Sequence, residues 1–177
     1  HKEYRRQRQM CIRDSPYAQD FNGLSPIHLA AYLGHLDALT CLKEMRIDIN
    51  HIDGNKKTPL TWAACKNNIH IMEYLVENGA NINGIHGLES PLHIAISAGH
   101  LNAVIFLIKN GANMSLQSIH QMNAYEWAVY LGRTDIVHYL TQMQLPLQNL
   151  SFFSKESTEP QPNTNDSEPE NNCHLEN

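Results

Sequence analysis

Apolar residues at a spacing of three recur along the chain and predict a series of short amphipathic helices. Leu36, Leu39 and Leu42 lie on one face of the first such helix. The same three positions return twice further along the chain, as Ile69, Met72, Leu75 and as Leu101, Val104, Leu107. Helices this short are marginal in isolation, so their stability must come from packing against neighbouring helices.

A second pattern precedes each of these helices and sets a period. It begins as Ser25-Pro26-Ile27-His28-Leu29-Ala30-Ala31 and returns as Thr58-Pro59-Leu60-Thr61-Trp62-Ala63-Ala64. The third and fourth forms are Ser90-Pro91-Leu92-His93-Ile94-Ala95 and Asn123-Ala124-Tyr125-Glu126-Trp127-Ala128. The anchors of the four copies are 33, 32 and 33 positions apart, at Pro26, Pro59, Pro91 and Ala124.

Each copy carries the signals of a short helix that starts and stops sharply. Ser25, Thr58 or Ser90 stands at the helix N-cap, where a hydroxyl accepts from free backbone N–H groups, and proline follows at the first helical position. About eight residues later a residue that tolerates positive φ ends the helix. These stop positions are Gly34, Asn67, Gly99 and Gly132. The loop before the second copy also places Lys56 at a position that favours positive φ.

Four copies of a [Ser/Thr]-Pro-Leu-His-x-Ala pattern with a period near 33 resemble the ankyrin repeat family over residues 18–148. The resemblance implies an all-α fold, an ankyrin-repeat solenoid of stacked helix-turn-helix pairs with protruding hairpin loops. Small residues at the same position of each copy would let neighbouring helix pairs approach closely, at Ala30, Ala63, Ala95 and Ala128. The expected domain is 16–150, with repeats at about 20–52, 53–85, 86–117 and 118–150.

The two ends of the chain differ from the repeats. Residues 1–15 have no apolar period and resemble translated sequencing-adapter read-through, with a basic targeting or nucleic-acid arm as the alternative. The loop that precedes the first copy normally follows a helix pair, so we expect the natural protein to continue upstream with at least one more repeat. Residues 151–177 form an acidic, proline-rich tail, which is expected to be disordered.

Charge and cysteine content narrow the class of protein. The net charge of −5 divides into +3 for residues 1–15, −3 for 16–150 and −5 for 151–177. A balanced repeat body argues against a nucleic-acid groove, and no apolar run of 18 residues suggests membrane insertion. Four cysteines without paired spacing favour an intracellular protein, expected in the cytoplasm with the nucleus as alternative. We expect a monomer that needs no cofactor.

The histidines and cysteines do not form a catalytic or metal-binding pattern. His28 and His93 occupy the histidine position of the family motif, where the resemblance implies that the imidazole hydrogen-bonds a neighbouring loop backbone. Cys41, on a second helix, is expected to be a packing residue rather than a nucleophile. Trp62 and Trp127 occupy the repeat position of Leu29 and Ile94 and are expected in the core. No phosphate-binding, zinc or nucleophile motif occurs in the chain. The chain is therefore predicted not to be an enzyme and to hold no metal.

The resemblance implies that a partner protein contacts the loop tips and the exposed side of the first helices, which line the concave surface of a repeat stack. Aromatic anchors at such positions supply much of an interface's energy. The candidate contact residues are Phe21, Asn22, Leu24, Tyr32, Leu33, Asn55, Lys57, Cys65, Lys66, Glu89, Ser97, Met122 and Tyr130. Asn50 and Asn83 resemble the hairpin asparagines that an asparaginyl hydroxylase modifies in some ankyrin proteins.

Three functional hypotheses follow. The first is a non-catalytic protein–protein interaction module, a scaffold or adaptor. The second is a substrate- or partner-recruiting ankyrin domain of a larger, truncated enzyme, channel or regulator. The third is a structural solenoid that self-associates. The identity of the partner does not follow from a shared repeat fold.

Overall fold

The computed structural model describes residues 24–85 and 89–152 of the 177-residue chain. This part is helical and contains no strand. The chain divides into two units, His1–Met143 and Gln144–Asn177. No helix within the described residues is long and apolar enough to cross a bilayer. The helices are α1 Pro26–Leu33, α2 Leu36–Glu44, α3 Pro59–Cys65, α4 Ile69–Glu77, α5 Pro91–Ala98, α6 Leu101–Lys109, α7 Ala124–Tyr130 and α8 Thr134–Phe152.

The predicted order of a short first helix followed by a second helix is confirmed in all four copies. Helices α1, α3, α5 and α7 are the first helices of the repeats. Helix α1 packs against α3, α3 against α5, and α5 against α7. Helix α8 begins in the first unit and its residues 144–152 belong to the second. Helix α8 ends at Phe152, two residues beyond the expected domain boundary at residue 150.

The helix starts follow the predicted capping chemistry. Thr58 Oγ1 accepts from Thr61 N at 3.3 Å, and Ser90 Oγ accepts from His93 N at the same distance. In the fourth copy, Asn123 Oδ1 accepts from Glu126 N at 3.0 Å, and Asn123 N donates back to Glu126 Oε2 at 2.9 Å. This reciprocal pair is a capping box, and it takes the place of the missing proline.

The predicted helix stops are confirmed by their backbone angles. Gly34, Asn67, Gly99 and Gly132 all have positive φ, between 56° and 77°. Lys56 also has the predicted positive φ, at 59°. The loop before the fourth copy contains no glycine, and there Gln121 takes the corresponding conformation at 60°. The loops therefore keep one backbone geometry although the residue that adopts it changes.

The core lies between first and second helices and consists of the residues that the spacing predicts. Two positions of each apolar triplet are almost completely buried, at Leu39, Leu42, Met72, Leu75, Val104 and Leu107. The first position is less buried, because it begins its helix; Leu36 is 39% exposed. The alanines at the contacts between first helices are 4% exposed or less, at Ala30, Ala63, Ala95 and Ala128.

Hydrogen bonds tie each loop to the next repeat. Asn50 Oδ1 accepts from Asn81 N at 2.8 Å, and Asn50 Nδ2 donates to Gly79 O at 3.1 Å. One repeat later, Asn83 Oδ1 accepts from Asn113 N at 2.8 Å. The two asparagines singled out as hydroxylation candidates therefore connect successive loops.

Three core assignments made from the sequence are wrong. Trp62 is only half-buried, with its indole N–H donating to the Asp53 carboxylate, and Leu29 is 42% exposed. Cys41 is exposed on α2, since it lies beside rather than on the buried face that carries Leu39 and Leu42. Trp127, by contrast, is buried as predicted.

Candidate partner-binding surface

The first helices α1, α3, α5 and α7 form one layer of the array, and most of the predicted contact residues lie at their C-terminal ends or in the loops that precede them. Within this layer the side chains gather around two tryptophans. We name these groups the Trp62 cluster, made of Tyr32, Lys57, Trp62 and Lys66, and the Trp127 cluster, made of His120, Met122, Tyr125, Trp127 and Tyr130.

The Trp62 cluster alternates aromatic rings with lysines. The rings of Tyr32 and Trp62 meet edge to face, with centroids 5.5 Å apart and an interplanar angle of 78°. Lys66 Nζ lies 4.5 Å from the centre of the Tyr32 ring, and Lys57 Nζ lies 5.1 Å from the Trp62 ring. Both distances are within the range of cation–π attraction. Side chains from two repeats thus form one continuous surface.

A buried aspartate fixes the centre of this cluster. Asp53 is 4% exposed, and its Oδ2 accepts from Trp62 Nε1 at 2.8 Å. Its Oδ1 accepts from the backbone N–H groups of Asn55 at 2.9 Å and Lys57 at 2.7 Å. A buried carboxylate needs such donors to offset the loss of water. Asp53 therefore holds the loop and the indole in one arrangement.

The Trp62 cluster carries positive charge on its lysine side chains. A side-chain hydrogen bond with Tyr32 raises the pKa of Lys66 above its ordinary value, and Lys66 is fully charged at neutral pH. Lys56 adds an exposed ammonium in the same loop as the half-buried Lys57. The buried carboxylate of Asp53 is turned toward the indole and the backbone.

The Trp127 cluster is a stack of three rings. His120 stacks on Trp127 at 5.0 Å, and Trp127 stacks on Tyr130 at 5.5 Å, with an interplanar angle of 15° in both pairs. Tyr130 is 67% exposed. Beside the stack lies an open cavity of about 580 Å³, lined by His120, Gln121, Met122, Tyr125, Glu126, Val129 and Tyr130.

A polar side chain anchors this second cluster to the preceding repeat. Trp127 Nε1 donates to Ser97 Oγ at 2.8 Å, and Ser97 Oγ in turn donates to the carbonyl oxygen of His93 at 2.9 Å. Arg133 Nη2 donates to the carbonyl oxygen of Ser97. The candidate residue Ser97 is therefore a support for the aromatic stack, with limited access of its own.

His28 and His93 are structural residues, as the resemblance implies. His28 Nε2 donates to His51 O at 2.9 Å, and His93 Nε2 donates to Met122 O at 3.2 Å. In each case Nδ1 lies 2.8 Å from the hydroxyl of the serine that precedes the helix. Burial lowers the pKa of both imidazoles, and the folded protein therefore favours their neutral form.

The other predicted contact residues are distributed as follows. Leu33 is 41% exposed, and Asn55 is exposed on its loop. Leu24, Cys65 and Glu89 are half-buried and belong to neither cluster. Phe21 and Asn22 lie outside the described residues. Within the described residues, no three His, Cys, Asp or Glu side chains come together in a way that could hold a metal ion.

Sequence reasoning missed several members of the two clusters. The repeat position of Trp62 predicts a core residue, and the spacing of His120 to other residues gives no sign of a functional role. Val129, at the edge of the cavity, is exposed, and so is Ile119 in the preceding loop. The indole N–H could have indicated the position of Trp62, because a tryptophan that packs against the protein needs a hydrogen-bond acceptor for this group.

The array of paired helices and the surface along its first helices define a helical repeat protein. A family profile described as ankyrin repeats (3 copies) matches residues 8–86 and 84–149. The chain belongs to the ankyrin repeat family. Ankyrin repeats are non-catalytic and mediate binding to other proteins.

Three characterised relatives illustrate the range of proteins with similar repeats. Palmitoyltransferase Hip14 of Drosophila melanogaster is 34% identical over 101 residues, which cover 56% of this chain and 16% of that protein. The mouse B-cell lymphoma 3 protein homolog is 31% identical over 104 residues, 58% of this chain and 23% of that protein. Human palmitoyltransferase ZDHHC17 is 38% identical over 77 residues, 42% of this chain and 12% of that protein. The chain thus spans less than a quarter of the length of each.

Proposed function

We propose that this chain is a protein-binding module, a scaffold or adaptor, whose partner lies across the Trp62 and Trp127 clusters. The observation that carries the proposal is the ring stack of His120, Trp127 and Tyr130, which exposes most of Tyr130 at the edge of an apolar cavity. A large aromatic group held in place and left open to solvent is the kind of anchor on which interfaces depend.

The support of both clusters favours binding with little rearrangement. Asp53 holds the indole of Trp62, and Ser97 holds the indole of Trp127, each at 2.8 Å. Side chains that are already ordered lose less conformational entropy when a partner binds. Tyr32 and Tyr130 stand at equivalent ends of α1 and α7, so an extended segment of a partner can contact both across the first helices.

Peptides selected from a random displayed library against the folded chain provide a probe for this surface. We expect Tyr32→Ala and Tyr130→Ala each to weaken peptide binding at least about tenfold, since an aromatic hot spot contributes roughly 2 kcal/mol. Leu36→Ala is the control, because it also truncates an exposed apolar side chain, but one that begins a second helix and lies outside both clusters. Circular dichroism checks the fold. Selected peptides whose affinity ignores both tyrosines would exclude the surface.

A second candidate function is recruitment of substrates or partners within a larger enzyme. The similarity to the palmitoyltransferases Hip14 and ZDHHC17 favours it, because this chain matches only a small part of each. Sequencing of the complete transcript tests this candidate. A reading frame that encodes a palmitoyltransferase domain next to the repeats would support it, and a frame that encodes repeats alone would support the scaffold.

Three further parts of the proposal concern the state of the protein. We propose an intracellular monomer, and light scattering during size-exclusion chromatography tests the monomer against the self-associating solenoid. Hydroxylation at Asn50 and Asn83 remains a prediction, and intact-mass measurement of protein from its natural source would reveal an added oxygen. Residues 16–150 are proposed as the folded domain, which limited proteolysis can delimit.

A further inference from the structure

The Trp62 cluster carries positive charge that no side chain of the described residues neutralises. Lys57 and Lys66 each face an aromatic ring, at 5.1 Å and 4.5 Å from its centre. Within residues 24–85 and 89–152, neither ammonium forms an ion pair with a carboxylate. An ammonium has three N–H donors, and a ring face together with the hydrogen bond from Lys66 to Tyr32 uses only part of them, so the remaining donors can bind another acceptor.

The carboxylate that contacts the indole of this cluster is already engaged. Asp53 is buried and accepts from the indole N–H of Trp62 and from two backbone N–H groups. It orders the loop that presents Lys56 and Lys57 without pairing with their ammonium groups. The cluster therefore combines the ammonium groups of Lys57 and Lys66 with the rings of Tyr32 and Trp62.

We infer that the partner binds through a segment that places acidic side chains against Lys57 and Lys66 while its apolar side chains reach the Trp127 cluster. The inference rests on the proposed function and names the chemistry of the partner. Charge complementarity of this kind raises the association rate and excludes partners of like charge. A protein segment fits better than a nucleic acid, because phosphate binding needs many clustered Lys and Arg, whereas this surface offers two lysines beside aromatic rings.

The library selection described above also tests the chemistry of the ligand. We expect selected peptides to be enriched in Asp and Glu, and their affinity to fall as salt rises. For one selected peptide, the analogue with Gln and Asn in place of its acidic residues is synthesised. We expect the Lys57→Gln/Lys66→Gln double variant to bind the acidic peptide about tenfold more weakly and the neutral analogue no more weakly than wild type does.

Matched variants separate this effect from a general change in charge or fold. Lys109→Gln removes one positive charge from the end of α6, as Lys66→Gln does within the cluster, and should leave the affinity unchanged. Lys66→Gln alone alters a fully exposed side chain and should give part of the effect. Circular dichroism confirms that each variant is folded.

The possible results distinguish the inference from the proposed function. Peptides that depend on Tyr32 and Tyr130 but lack acidic enrichment, or that bind the lysine variants as tightly as wild type, would overturn the acidic partner and leave the surface intact. Peptides that depend on neither tyrosine would overturn both. Equal loss of affinity in Lys109→Gln and in the double variant would show non-specific charge attraction and would also contradict the inference.

Discussion

The stability of the repeat array should decrease in mild acid because two buried histidines must stay neutral. In His28, Nδ1 accepts from Ser25 and Nε2–H donates to a backbone carbonyl. In His93, Nδ1 faces Ser90 Oγ and Nε2–H donates to Met122 O. Protonation would place a second N–H where an acceptor is needed. Burial also lowers the pKa of both side chains, more than the nearby Asp53 and Glu89 raise it.

The direction and size of the effect follow from proton linkage. The unfolded chain takes up protons on these histidines near pH 6.5, the ordinary value, whereas the folded chain takes them up only at lower pH. Stability is therefore complete above about pH 6.5 and falls as the pH decreases, until the folded-state pKa is passed. Each histidine contributes a slope of at most about 1.4 kcal/mol per pH unit, so the pair contributes at most about 2.7.

Urea denaturation at several values between about pH 7.5 and about pH 5 measures this slope. The second repeat supplies the control, because Thr58 and Thr61 lie in place of Ser90 and His93, with their hydroxyls 3.0 Å apart. The double variant Ser90→Thr/His93→Thr should lose about half of the slope. A variant that folds and keeps the full pH dependence of the wild type would refute the assignment.

Four substitutions test the backbone geometry and the contacts between loops, each by urea denaturation. Gly99→Ala should destabilise the fold by about 1–3 kcal/mol, because φ is +74° and the new Cβ would lie 3.1 Å from the Arg133 guanidinium. Gly111→Ala is its control: the new Cβ meets nothing within 4 Å, so the variant should lose only about 1–2 kcal/mol to backbone strain. Lys56→Gly should stabilise by about 0.5–1 kcal/mol, since φ is 59°, and an unchanged stability would contradict that strain. Asn50→Ala should destabilise by about 1–2 kcal/mol, because it removes two hydrogen bonds between loops, and no loss would show that water replaces them fully.

The fold was predictable because its determinants are local. Thr58 and Ser90 accept the predicted capping bonds, and Asn67 and Lys56 take the predicted positive φ. Each of these features depends on a few consecutive residues and their backbone. Gln121 was not foreseen, because a long polar side chain gives no local signal for that conformation. The surrounding loop imposes it instead.

The candidate surface was predictable in position but not in its contacts. The repeat register places Tyr32 near the end of α1 and Lys66 directly after α3, yet no rule of spacing predicts that the ammonium of Lys66 lies over the ring of Tyr32. Trp62 was misassigned because its equivalence to the buried Ile94 ignores the indole N–H. The indole N–H of Trp62 donates to Asp53, nine positions earlier, and this hydrogen bond depends on the path of the loop between them.

The anchoring of Trp127 links partner binding to the local opening of the last repeat. Its indole is joined through Ser97 to the backbone of α5, and the same indole carries Tyr130. When α7 detaches transiently, the ring stack that a partner would contact is lost with it. A bound partner would therefore act as a clamp on the end of the array, and backbone amides of α7 should exchange with solvent more slowly in the complex than in the free protein.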